Sequence, residues 1–541
     1  PMKVENRVLG FIDNNEIYKK IQSGENIVLD ECFVFNFDFN VSGLKKEELI
    51  KINNLSAKNS VFYNAGKFDC TNVHFWGEEV NFDSSIFICE EMLFNMAKFE
   101  SSFFIMTNCL FNIKKIDFSN AMFNTKLVTF KNSIFTEGIK EFRYTNFGNS
   151  DVLFTNTDFG DGDITFLNSF FNNSDVSFKV ARIGEGVKNF QYSKFNNCTI
   201  SFERTDFGNG KIEFSKSEFG NSKVNFNRCV IGNSDVVFEE SDMKSGKFTF
   251  KRVTKGKGEF DFSMVDFTDS EAIFDGTYFG DGSVTFNNSV FKVLSFRTCH
   301  MDHYFDLRIR FAEMLDLSDI IVRDIIDLKP YDVSVNINTI NFEGIRLLGR
   351  IYLSWKDNKV ADLITNQLNT NYASKSEQFR ILKQNFNVTG QYDDEDKSYV
   401  MFRRYEAKAR LYGEFKKNKV SIIWELPLYV FKKLVFDLMG LYATSPVRVL
   451  ISVIIIWALF GFIYFLIYLF HVGLTMSSVG NPDHLGPLAQ SFYHSAITFF
   501  TIGYGDVFPQ GLSRLFSAIE GFMGVFMMSY FTVSFVRKVL R

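Results

Sequence analysis

From residue 82 onward, large apolar residues recur with alternating steps of five and seven, a period of 12. The first series runs Phe82, Phe94, Met106, Phe118 and on to Phe286, and seventeen of its eighteen members are Phe. The second lies five residues later, from Phe87 to Phe291. Fourteen of its eighteen are Phe, with Ile183, Ile231, Met243 and Lys255 as exceptions. A β-branched residue commonly stands two places before the first-series Phe, as in Ile164-Thr165-Phe166 and Val284-Thr285-Phe286. That predicts a short strand with alternate residues inward. Turn residues that tolerate positive φ follow the second-series Phe: Gly148-Asn149-Ser150, Gly160-Asp161-Gly162, Gly220-Asn221-Ser222.

Short strand, corner, short strand, wider corner, repeated, describe a β-solenoid. Two repeats to a coil, or about 24 residues, leave room for four inward Phe positions, and about 12 residues per coil is the alternative. About nine coils at roughly 4.8 Å give a rod of about 43 Å. The pattern fades after 291 but keeps its flavour to about 354. Glu16 to Ser23 reads as a helix closing the first coil, since an uncapped coil exposes strand edges. The expected divisions are a helix and cap over 2–60 and the Phe-rich solenoid over 61–354.

Beyond it the period changes. Ser374 to Glu377 reads as a capping box, Gly390 as a helix stop, and Asp393 to Asp396 as the acidic first turn of a second helix. A helical hairpin over 374–416 is expected. Residues 428–445 mix Leu428, Phe431, Leu434 and Leu438 with Lys432 and Lys433, the pattern of an amphipathic helix lying on a membrane face. Uncharged spans follow at 449–470 and, broken only by Glu520, at 515–536. Arg448 precedes the first, and Arg537, Lys538 and Arg541 follow the second. Asp483, Asp506 and Arg514 are the only charges between them. The positive-inside rule then places both termini in the cytoplasm of a cell with an inner or plasma membrane. Leu488 to Phe500 is too short to cross and reads as a re-entrant helix leading to Thr501-Ile502-Gly503-Tyr504-Gly505-Asp506.

Composition narrows the function. The 541 residues carry 59 basic and 63 acidic side chains, so nucleic acid is not an expected partner. Seven cysteines, an odd number with no CxxC pair, point to a reduced compartment. Pro1 ahead of Met2 reads as a cleavage remnant, and no signal peptide opens the chain. The Asn-, Lys- and Phe-rich usage points to an AT-rich, prokaryotic genome. No nucleophile–base spacing, P-loop or zinc motif supports an enzyme, and no cofactor is expected. Cys299-His300-Met301-Asp302-His303 holds metal-ligand residue types but no second cluster, so a loop with core contacts is preferred.

The repeat resembles the pentapeptide-repeat family, a four-sided right-handed β-helix, except that every second step here is seven rather than five. The hexapeptide at 501–506 resembles the selectivity signature of two-span potassium channels, with Ile in place of Val. That resemblance covers about 95 residues, two spans and the loop between them. It implies potassium held by the carbonyls of Thr501, Ile502, Gly503 and Tyr504 and by the Thr501 hydroxyl, with Gly505 completing the filter and Asp506 at the outer mouth. It implies that Tyr493 and His494 brace Tyr504 and that Gly521 or Gly524 is a hinge, although both glycines suit close helix packing equally. It also implies a homotetramer. Phe500 and Ile497 depart from the family pattern, and both sit where filter inactivation is set.

No run of arginines marks a voltage sensor, and the chain ends five residues past the second span, so no C-terminal gating domain is expected. The leading expectation is a potassium channel in a lipid bilayer, whose solenoid senses a cytoplasmic ligand or protein and pulls on the first span. The alternative is a passive scaffold. A DNA-mimicking, protein-binding module is a further alternative, because some pentapeptide-repeat proteins bind topoisomerases.

Overall fold

A computed structural model describes residues 8–39, 50–331, 333–478, 480 and 485–540. Asp483 and Arg541 lie outside the described residues, as do 2–7 and 40–49 within the expected 2–60 cap. The chain divides into two compact units, 1–368 and 369–541.

The first unit is the β-solenoid. Its coil is 24 residues, the separation across which Asn132 bonds to Asn108 and Asn156 to Asn132. Strands stack in parallel with their neighbours one coil away: Phe87 beside Phe111, Met92 beside Ile116, Phe99 beside Phe123, Phe104 beside Val128. The longest sheet joins 14 described strands. Each coil has six inward positions, not four. Val80, Phe82, Phe87, Met92, Phe94 and Phe99 are all fully buried. The step of seven is therefore five plus two, because the residue two places before each first-series Phe also points inward.

Coil spacing explains the preference for Phe. Stacked coils bring like rings to face-on contact, Phe166 on Phe190 at 5.0 Å and 6°, Phe190 on Phe214 at 4.6 Å and 4°. The opposing column meets them edge-on, Phe166 against Phe178 at 5.8 Å and 89°. Offset stacks along the axis and T-shaped contacts across it are both favoured aromatic geometries.

The solenoid begins well before its expected start, and makes about 14 turns over residues 10–352. Gly10–Phe11 already pairs in parallel with Cys32 and Phe33, so coil stacking does not wait for residue 61. Beyond 291 the sequence register breaks but the stacking does not. Val284 lies beside Phe305 and Phe305 beside Ile326, and the corner ion pair of Asp302 with Arg323 spans the same 21 residues. Ile326 then lies beside Ile351, and Asp316 bonds to Asn341, both across 25 residues. Loop-length changes at the corners hide the repeat while the strands keep their places.

Both ends are closed. Helix α1 (Asn14–Ser23), capped by the Asp13 side chain, buries Ile17 and Ile21. Helix α2 (Val360–Thr365), which the pattern did not predict, buries Val360, Leu363 and Ile364 and packs on the strand Ile337–Asn341. The cysteines are free. Three of the buried ones stand where other coils place Ser or Thr, three places after a first-series Phe or Met or its later equivalent Phe296. Ser133, Thr157 and Thr205 donate there to a carbonyl of the previous coil at 2.6 to 2.8 Å. Cys109, Cys229 and Cys299 make the same contact at 2.8 to 3.1 Å. Cys299 is thus a rung of the stack, while Asp302 pairs with Arg323 and His303 approaches Asp281.

The second unit is helical. Helices α3 (Tyr372–Val388) and α4 (Tyr392–Lys417) form the hairpin. Asn371, not Ser374, caps α3, accepting the Ser374 N–H at 2.8 Å. Gly390, at φ +73°, ends it. Helix α5 (Ile422–Phe431) continues as a π-helical segment, Lys432–Leu438, so the amphipathic element begins before residue 428. Leu441, Tyr442 and Ala443 then turn the chain through three successive left-handed residues. Helices α6 (Pro446–Leu469), α7 (Pro487–Phe499) and α8 (Ser513–Val539) complete the unit.

Candidate functional site

Helix α7 is wedged between α6 and α8. Two close approaches fix it, one at its middle and one at its C-terminal turn. Gly461 of α6 faces the Phe492 ring, 3.0 Å from where a Cβ would stand. Gly524 of α8 faces the Phe499 carbonyl, only 2.0 Å from such a Cβ. Of the two hinge candidates, Gly524 is therefore a packing position, whereas Gly521 has open space beside it in the single chain.

Between α7 and α8 runs the 501–506 segment. The φ angles of Thr501, Gly503 and Gly505 are +56°, +63° and +78°, while Ile502 and Tyr504 keep negative φ. Left-handed residues alternating with ordinary ones hold successive peptide planes facing alike, which regular strand or helix cannot do. The inner end is pinned from behind, since the Ile502 and Gly503 N–H groups donate to the Ile497 carbonyl at 2.9 and 3.3 Å. The outer end is pinned by an antiparallel pair the sequence reading missed, Gly473–Ser477 with Val507–Gly511. The Ser478 hydroxyl beside it reaches the Gly505 carbonyl at 3.1 Å.

Around this segment the candidate residues separate. The Tyr493 hydroxyl donates to Asp506 Oδ2 at 2.7 Å. His494 Nε2 lies 2.9 Å from the Ser517 hydroxyl on α8. Neither contact is to Tyr504, whose ring is 73% exposed in the single chain. Ile497 is buried behind the segment, and Phe500 is partly exposed beside Phe499. Glu520, with no exposed surface, sits behind α7. The Tyr464 hydroxyl donates to its Oε2 at 2.7 Å and Ser495 bonds its Oε1. This carboxylate stands among protein groups, as the cost of exposing it to lipid requires.

Two helices of this unit, α6 and α8, are long and apolar enough to cross a membrane. Residues 452–541 match the family model described as ion channel. These residues are an ion-channel domain. No curated protein and no solved structure matches the chain. The protein is thus a membrane protein with an ion-channel domain that follows a long β-solenoid in the chain, and it is not an enzyme.

At the end of the channel domain remote from 501–506, α4 is tied to its neighbours by charge. Arg537 of α8 donates to Asp396 at 3.0 Å and stacks over Tyr399 at 4.4 Å. Lys538 reaches Asp393 at 2.8 Å. Arg404 grips Asp437, and Arg410 grips Glu425, each through two nitrogens. Helix α4 thereby holds both the segment leading into α6 and the end of α8.

Proposed function

We propose that the protein is a tetrameric, potassium-selective channel whose solenoid regulates gating from the cytoplasm. One observation carries the reading: the alternating left-handed backbone across Thr501 to Gly505 at the end of a short re-entrant helix. It suits a column of carbonyls facing one axis. Potassium would be held by the carbonyls of Thr501, Ile502, Gly503 and Tyr504, with the Thr501 hydroxyl closing the inner end and Asp506 at the mouth. Tyr493 supports the filter by orienting Asp506. His494 supports it by tying α7 to α8. Ile497 and Phe500 replace the side chains that usually set filter inactivation. Gly521 is the remaining hinge candidate.

One chain builds one wall of such a filter. The uncovered Ile502 and Tyr504 side chains support closure by symmetry copies around an axis. Arg448 in the first turn of α6 and Arg537 and Lys538 in the last turn of α8 support termini on the cytoplasmic side of a cell membrane. The regulatory role rests on α4. A displacement of this helix acts on α6 through Asp437 and Glu425, and on α8 through Asp396.

The test is flux from liposomes holding the full chain. Potassium efflux exceeding sodium efflux at least tenfold, and lost in Gly503→Ala, is expected. Equal passage of both ions would overturn selectivity. Removing residues 2–368 without changing flux would reduce the solenoid to a scaffold or protein-binding module.

A further inference from the structure

We propose that the cavity between α4, the π-helical segment and the far end of α8 binds the anionic headgroup of a membrane phospholipid. The cavity measures about 580 Å³, within the usual range for a ligand site. Its charged lining is Arg403, Arg410 and Lys432 against a single acid, Glu406. Tyr442 and Tyr530 supply aromatic walls.

Two of these cations have carboxylate partners that a phosphate can replace. Arg403 pairs with Glu406 at 2.7 Å and Arg410 with Glu425 at 3.0 Å, and both pairs are solvent-exposed on the arginine side. Exposed pairs contribute little, and a guanidinium fork matches a phosphate as well as it matches a carboxylate. Lys432 forms no ion pair among the described residues.

The surroundings choose a lipid over a soluble phosphate. The helix carrying Lys432 exposes Ile423, Trp424, Phe431, Leu434 and Leu438, with Trp424 80% exposed. An apolar face of this kind belongs in the acyl boundary of the bilayer. A headgroup in the cavity therefore places its chains along an apolar surface that otherwise meets water. Basic pockets between helices at a membrane face are suited to anionic headgroups. The site also touches Tyr442 and Ala443 of the left-handed turn before α6. An occupant would join α4, the entry to α6 and the end of α8. The inference does not depend on which ion the channel passes.

The experiment is native mass spectrometry of the full-length protein in detergent, titrated with dioleoylphosphatidylglycerol or dioleoylphosphatidylcholine. The anionic lipid is expected to bind at least tenfold more tightly. Arg410→Gln with Lys432→Gln should weaken it at least tenfold, and Lys416→Gln with Lys417→Gln, which removes equal charge outside the cavity, should not. Glu406→Gln should tighten it, an effect that misfolding cannot imitate. Equal binding of the two lipids, equal loss in both double variants, or no gain in Glu406→Gln would each overturn the proposal. Displacement of the lipid by glycerol phosphate at matching concentration would also overturn it, assigning the cavity to a soluble phosphate.

Discussion

Two residues after each first-series position, the solenoid turns through a left-handed residue. Asn108, Asn120, Asn132, Asn156 and Asn168 fit this conformation, but Tyr144, Val180, Tyr192 and Arg204 occupy it as well, all with φ between +53° and +59°. The left-handed region costs a side chain with a Cβ about 1 to 2 kcal/mol, and β-branching adds to that. The stack imposes the corner regardless of what stands there. This corner was not legible in the sequence, because it lacks the glycines that mark the other one. Val180→Asn copies the neighbouring coils and is expected to stabilise the protein by about 1 kcal/mol, read as a higher melting temperature.

The inward lysines are the second departure at this scale. Lys140 and Lys188 take the place held by Ile164 and Ile212 in alternate coils, and both are fully buried. Lys188 Nζ donates to the Gly184 and Gly186 carbonyls at 2.7 and 2.9 Å, and Lys140 Nζ to the Asp161 carbonyl at 2.9 Å. Burial pushes both ammonium groups down to about 8, only partly offset by nearby acids. The folded value lies below the ordinary lysine value, so the unfolded chain holds the extra proton between about pH 8 and about 10.4. The penalty is full below that window and fades as pH rises through it. Lys140→Ile with Lys188→Ile is therefore expected to gain most over the parent near neutral pH and least near the upper end of the window. Comparing the two proteins at each pH in thermal melts removes the opposite trend of the buried thiols.

Among the elements, α7 depends on what lies behind it. Gly524→Ala must move the end of α7 by pressing on the Phe499 carbonyl, and is expected to abolish flux or assembly. Gly521→Ala meets nothing and is expected to leave a folded, assembled channel. Size-exclusion chromatography with liposome flux separates the two. The hairpin supplies a second test. Asp396→Lys breaks the contact with Arg537, and Arg537→Asp added to it restores opposite charges. Flux altered at least threefold by the single change and returned by the pair is the expected signature of coupling. A null result in both would confine this largely buried contact to stability. Helices α6 and α8, the shorter α7 and the hairpin were legible as helices because each is an unbroken run with one period. The strand pair Gly473–Ser477 and Val507–Gly511 was not, since two short segments joined across residues 478–506 carry no local signal. The cap at Asn371 was missed because a capping box at Ser374 offered a stronger motif just beyond it.

At the scale of the molecule, the solenoid was legible in class and coil length and illegible in extent. Phe at fixed spacing announces coils only while corner lengths stay constant. Coils of 21 and 25 residues at one end, and of 28 at the other between Ile27 and Leu55, erase the register without breaking the stack. The pairing of α4 with α8 was beyond reach for a different reason. Asp396 and Arg537 are far apart in the chain, and nothing in either segment points to the other.

In the regular region the sequence repeats twice for every closure of the coil. Length and phase of the rod are therefore separate variables. Cutting out two repeats removes one layer and leaves every later side facing as before. Cutting out a single repeat keeps each Phe pointing inward, yet swings everything downstream half a turn about the axis. Evolution can thus shorten this rod with one kind of deletion and dial the direction of its faces with another, at no cost to the core.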